Sequence, residues 1–383
     1  MKQVGYLLKE HLDVVLKNEI YDYGIDVYNV AFLLINKDGY LLDFGYKADE
    51  NGNELTTQQY KDSKEILKEK LNQLVDKAHL ENKKVFISVG GHPSSVPGKN
   101  WNELMSNTSK IRKFAYDLNE FIRKYNLDGI DIDCEQSPTF CKYGRYVNFI
   151  RIVNHLIKIK NPKKIVSVAI SASPYHIFGN LGQLLFKART LYNYINWANV
   201  MAYDFPTSCC IKDFSKVGFA KFSIHSLNSI YGIPKRKQRL GIPLYGRKDQ
   251  ETLDYRLLVG KGANPKDDEK QYDGFYYTTF KKLKHKVDLG RKEAGGLMYW
   301  SLKMDTKREN SKSLLRKEAG GLMYWLLKTD TKRDTQKREN SKSLLRKVDD
   351  YLEVPQKPNE MDDKCSCFKC CWIFSIFCCF PNC

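Results

Sequence analysis

The stretch Leu127 to Gln136, LDGIDIDCEQ, carries four carboxylates spaced as D-x-x-D-x-D-x-E: Asp128, Asp131, Asp133 and Glu135. In an extended strand, residues two apart project to the same face. Asp131, Asp133 and Glu135 would then stack on one side, with Ile130, Ile132 and Cys134 packing on the other. The apolar neighbours mark a parallel strand covered on both faces. Three carboxylates crowded there cannot all ionise cheaply, because burial and like charge push at least one pKa up and a proton is shared. A carboxyl that keeps its proton at neutral pH is what a general acid requires. Burying three acids for structure alone would be costly, so the stack reads as catalytic. Asp128 reads instead as shaping the strand entry.

Elements to position such a stack are legible around it. Short apolar runs fall at 4–7, 27–35, 84–91, 129–135, 165–173, 197–204, 239–246 and 295–302. Helical patterns fall between them, at about 57–80, 103–125, 143–160, 181–195, 214–231 and 276–290; the first spacer, KEHLDVVLKN, is a weaker helix. Eight strand runs separated by helical spacers predict an α/β protein, a (β/α)8 TIM barrel closed by a parallel sheet. The acids would point into the barrel and climb toward the strand's C-terminal end, where such barrels carry their active sites. An open doubly wound sheet is the structural rival, but the phosphate-loop glycines are missing.

Composition narrows the function classes. The 383 residues are 42% hydrophobic, enough for a large core. Seven His lie scattered, without HExxH or a pair at ligand spacing, so neither a metal nor another cofactor is expected. The net charge is +18, but 14 Lys/Arg against 6 Asp/Glu fall between Lys303 and Lys347. A solvated basic face explains that better than a nucleic-acid partner.

The C-terminal part repeats itself. LGRKEAGGLMYWSLKMDTKRENSKSLL (289–315) returns, with five extra residues in its second part, as LRKEAGGLMYWLLKTDTKRDTQKRENSKSLL (315–345). Two copies do not make a solenoid; they read as a duplicated last strand-helix unit. Only one copy can fill the eighth position, and the first, which follows the 276–290 helix directly, is expected to close the barrel. The expected domains are 1–315, the barrel; 316–350, the second copy; and 351–383, a linker and Cys-rich tail. Seven of the eleven Cys lie in the last 19 residues, so the body is no disulfide scaffold. Clustered Cys beside bulky apolar residues suit S-acylation and membrane-surface attachment; a metal or disulfide cluster, then an unstructured tail, are the alternatives. The N-terminus lacks the pattern of a secretory signal. The expected location is cytoplasmic, or membrane-tethered through the tail, with secretion as the alternative if a signal is missing from this chain.

The whole D-x-x-D-x-D-x-E motif resembles that of glycoside hydrolase family 18, the chitinase family. SVGG (Ser88 to Gly91), MAYD (Met201 to Asp204), LGIPLYGR (Leu240 to Arg247) and GGLMYW (Gly295 to Trp300) resemble the family's third, sixth, seventh and eighth strand segments, in order. The resemblance covers about residues 3 to 350. It implies hydrolysis of β-1,4-linked N-acetylglucosamine by a retaining, substrate-assisted mechanism, in which the substrate's N-acetyl oxygen is the nucleophile. Glu135 would be the general acid, Asp133 would orient the acetamide, Asp131 would share a proton with Asp133, and Tyr203 would hydrogen-bond the acetamide carbonyl. Asp204 would contact the reacting sugar and Trp300 would form its floor; Met201 belongs to the same motif. Tyr245 and Arg247 would contact sugar or serve structure, and Tyr6 would be barrel core or lower subsite. Ser88, Gly90 and Gly91 would pack near the acids.

The family usually has an aromatic at Cys134. The segment 247–294 is shorter than the α+β insertion of deep-cleft members, implying an open groove and endo-type cleavage. Five Trp favour a modest chitinase or a short-substrate enzyme. The expected partners are chitin or N-acetylglucosamine oligosaccharides, with the protein a monomer. The alternatives are a chitinase-like lectin that binds without cleaving, or an endo-β-N-acetylglucosaminidase acting on N-glycans. Members of the first kind commonly lose an acid that this chain keeps.

Overall fold

The computed structural model describes residues 2–317, save 21, 23, 48–53, 136–142, 173–187, 205–215, 267–270, 308–309 and 311. All lie in the first of two units, Met1–Leu322 and Met323–Cys383. The second GGLMYW copy and the Cys-rich tail lie outside the described residues.

Eight parallel strands close on themselves. They are β1 (Lys2–Leu8), β2 (Val27–Leu33), β3 (Lys84–Gly91), β4 (Gly129–Cys134), β5 (Ile165–Ser171), β6 (Trp197–Met201), β7 (Gln238–Pro243) and, eighth in the barrel, β10 (Gly296–Trp300). Each pairs with its neighbours in sequence, and β10 lies between β1 and β7. This is a (β/α)8 barrel, as the alternating runs imply. β10 comes from the first of the duplicated copies. Two further strands, β8 (Tyr245–Lys248) and β9 (Glu251–Asp254), form an antiparallel hairpin outside the barrel. The helices among the described residues are α1 (Asp13–Leu16), α2 (Gln58–Leu80), α3 (Gly98–Ser106), α4 (Thr108–Lys124), α5 (Tyr143–Lys160), α6 (Val217–Tyr231), α7 (Tyr255–Gly260) and α8 (Phe280–Glu293).

Three expected elements differ. The helix anticipated at 103–125 is two helices. Asn107 is extended (φ −128°, ψ 117°) and its side chain accepts from the backbone N–H of Ser109 and Lys110, so it starts α4 as an N-cap. The run 239–246 breaks after Pro243, and Tyr245 and Arg247 stand on the hairpin. Of the helix expected at 181–195, the described part, Ala188–Asn193, is a 3-10 segment.

The period of two sorts the side chains into two cores. Outward residues of the strands, Ile130 and Ile132 among them, pack under the helices. Inward residues, including Val4, Tyr6, Val27, Ala31, Phe86, Trp197 and Met298, fill the barrel. Near its N-terminal end Trp197 stacks on Phe86, with centroids 5.4 Å apart, and the Arg239 guanidinium lies 5.1 Å from the Trp197 ring. The N-terminal end is thus filled, and polar side chains gather at mid-height and at the C-terminal mouth.

Candidate active site

β4 carries the acids inward and upward, as a period of two requires. Asp131 is fully buried, Asp133 nearly so, and Glu135, one residue past the strand, is half-buried at the mouth. Asp128 stands at the strand entry and accepts from the Val85 backbone N–H (2.9 Å) and, at 2.9 Å, contacts His79 Nε2. It shapes the strand entry and takes no part in the stack.

Asp131 is held by four donors from four strands. Tyr6 (β1) donates its hydroxyl to Oδ2 at 2.6 Å and Ser88 (β3) at 2.8 Å. Ser167 (β5) donates to Oδ1 at 2.7 Å and the Asn199 amide (β6) at 3.0 Å. Burial raises the Asp131 pKa and these hydrogen bonds oppose the rise. Asp133 has no such relief: its Oδ1 is buried without a partner. Burial, then the charges of Glu135 and Asp131, hold its pKa well above the carboxylate range. Burial and the neighbouring Asp204 push Glu135 up to about 7.

Asp204 stands just beyond β6 with φ +58°, a left-handed backbone that Asp tolerates. The Tyr245 hydroxyl donates to its Oδ2 and Arg247 Nη1 to its Oδ1 at 2.7 Å. Tyr245 and Arg247 therefore act on the carboxylate next to Glu135 from the hairpin that follows β7. Tyr203 is buried, its ring edge-on to Tyr245 (6.2 Å, 84°), and its hydroxyl points at Met298 Sδ, 3.6 Å away. Burial, then the carboxylates around it, raise its pKa, so the phenol keeps its proton. Met201 ends β6 half-buried beside this interior cluster. Trp300 ends β10, half-buried, with its ring nearly parallel to Phe32 (5.8 Å, 25°) and at 60° to Tyr6 (5.3 Å).

Two glycines make the room. A Cβ on Gly90 would sit 2.1 Å from the Asp133 carbonyl oxygen, and its φ of +117° suits glycine alone. A Cβ on Gly241 would meet the Val200 carbonyl at 2.4 Å and the Tyr203 ring at 2.7 Å. Ser88 is a hydrogen-bond partner of Asp131 as well as a packing residue. Cys134 packs against the outer core, away from the acids.

The structure brings all ten expected site residues to the interior and mouth of one barrel end. The motifs do not single out Ser167, Asn199 or Phe32. Parity could have found the first two: Ser167 lies directly across from Asp131 in the β4–β5 register, a polar residue inside an apolar strand.

The model of Glycosyl hydrolases family 18 matches residues 6–305. The chain belongs to that family. It is similar to "Probable chitinase 10" of Drosophila melanogaster, 27% identical over 223 residues, 53% of this chain and 10% of that one. It is also similar to "Chitinase 1" of Aphanocladium album, 24% identical over 293 residues, 60% of this chain and 64% of that one. The chain thus spans less than two thirds of the length of these relatives. Among solved structures, the family 18 chitinase ChiB of Flavobacterium johnsoniae has the same fold, with TM-score 0.65, 22% identity, and 84% of this chain and 94% of that chain covered. A mutant class V chitinase from Nicotiana tobaccum, in complex with NAG4, gives TM-score 0.63, with 16% identity, and 83% and 97% of the two chains covered.

Proposed function

We propose that the chain is a chitinase-type glycosidase that cleaves β-1,4-linked N-acetylglucosamine oligomers or polymers with retention. The observation that carries the reading is Glu135, a half-buried carboxyl at the barrel mouth pushed up to about 7 and so able to hold its proton at working pH. Family membership and the chitinase relatives support the substrate class.

Glu135 protonates the glycosidic oxygen while the substrate's own acetamide oxygen attacks the anomeric carbon. The C–O bond to the leaving sugar breaks and an oxazolinium forms. Asp133 accepts the acetamide N–H and faces the positive charge. Asp131, at the base of the stack, adds its charge to the pair. The Tyr203 hydroxyl turns from Met298 to the acetamide carbonyl, and Trp300 supports the sugar from below. Asp204 contacts the reacting sugar; Tyr245 and Arg247 hold it in place, and Met201 and Tyr6 line the interior beneath. Glu135, now ionised, takes a proton from the water that opens the ring. Every group named comes from one chain, so a monomer suffices. The described residues of 247–294 form most of a short hairpin, α7 and α8, which supports an open groove and endo-type cleavage.

Release of fluorophore from N-acetylglucosamine oligomer conjugates, measured between pH 4 and 8, tests the reading. The parent should turn over and Glu135→Gln should not. Silence in both with retained oligomer binding would make this a sugar-binding protein; cleavage of N-glycan cores but not of the conjugates would make it an endo-β-N-acetylglucosaminidase.

A further inference from the structure

We infer that Asn199 is a positioning residue that keeps Asp131 an anion and so directs the proton of the Asp131–Asp133 pair onto Asp133. The inference rests on the proposed hydrolysis and specifies which carboxyl carries the proton in it. The Asn199 amide uses both its hydrogens here: one goes to Asp131 Oδ1 at 3.0 Å, the other to the Tyr6 hydroxyl oxygen at 3.1 Å. An amide NH2 can only donate. With its oxygen receiving that bond, the Tyr6 hydroxyl turns its single proton to Asp131 Oδ2, 2.6 Å away. Ser88 and Ser167 complete two donors on each Asp131 oxygen. A carboxylate accepts four such bonds, whereas a protonated carboxyl must displace one of them. Asp133, with a buried unpartnered Oδ1, is the member left to hold the proton, and burial with the charges of Glu135 and Asp131 raises its pKa.

The surrounding groups leave Asn199 this role. The titratable neighbours of the pair are Tyr6 from β1, Glu135 from the end of β4, and Tyr203 beyond β6. At the same height, β2, β3, β5 and β10 present Asn29, Ser88, Ser167 and Met298 on their inward positions, none of which titrates, and β7 presents Gly241. Arg239, the cation on β7, pairs with Asn199 in the strand register but turns its guanidinium onto Trp197.

The pH profile of turnover reads the assignment. The pair needs one negative charge to face the oxazolinium, so its first ionisation sets the acid limb. Replacing Asn199 by Leu removes a charge-assisted donor, and the acid limb should move up by roughly one pH unit. Ser167→Ala takes the other donor from Oδ1 and should move the limb the same way, which keeps the test open if the first variant folds poorly. A uniform fall in kcat with the limb unmoved in both variants would overturn the inference and leave Asn199 a packing residue. Loss of the proposed hydrolysis itself would show differently: the parent would be inactive at every pH.

Discussion

At the scale of the residue, three carboxyls on one strand behave differently because their surroundings differ. Asp131 receives four donors, Asp133 none on its Oδ1, and Glu135 meets the charge of Asp204. Glu135 must be protonated to act as an acid, so turnover should fall as pH rises through about 7. Asp204→Asn removes the negative charge that helps raise this pKa. The alkaline limb should then move to lower pH, by up to about one unit, whatever happens to the maximal rate. A pH–kcat series of parent and variant checks this; an unmoved limb would mean that burial alone sets the Glu135 pKa. The stack of acids was legible in the sequence because a strand's period of two is local. Parity marks Ser88, Ser167 and Asn199 as polar positions in apolar strands, but not their hydrogen bonds, because with Tyr6 they reach Asp131 from four other strands.

At the scale of the element, the site depends on how closely strands approach. Gly90 pairs with Asp133 in the β3–β4 register, and its missing Cβ lets the Asp133 carbonyl lie where a side chain would otherwise be. Gly90→Ala should cost several kcal/mol, about 2–4, through the clash and the positive φ together, and should disturb the acids as it does so. Gly218→Ala in α6 is the contrast: a Cβ there meets nothing within 4 Å among the described residues, and the change should stabilise by a few tenths to about 1 kcal/mol. Urea unfolding midpoints of the two variants measure both. The expected single helix over 103–125 failed for a local reason. Its apolar spacing continues across Asn107, but the Asn side chain satisfies the first N–H groups of α4 and starts a new helix. The run through Leu240 to Arg247 divides after Pro243: the Leu244 N–H still donates to the Trp300 carbonyl at 2.8 Å, and Tyr245 then pairs with Asp254 in the hairpin.

At the scale of the whole molecule, closure chooses between sequences that are locally the same. GGLMYW occurs twice, and the first copy lies between β1 and β7 with Trp300 at the mouth. Trp300→Ala should abolish binding of N-acetylglucosamine oligomers in a titration, and Trp325→Ala should leave it intact; the reverse result would give the eighth position to the second copy. The amino-acid sequence by itself determined the alternation of strands and helices, the inward stack of acids and the family, because each is written in local period or in a short motif. Only the tertiary structure decided that Asp204 sits by Glu135, that Tyr245 and Arg247 hold Asp204 from a hairpin, and that Asn199 reaches Tyr6 across a separation of 193 residues. Those contacts follow from the register of a closed barrel, which brings distant strands to one point and leaves no trace in the pattern of any one of them.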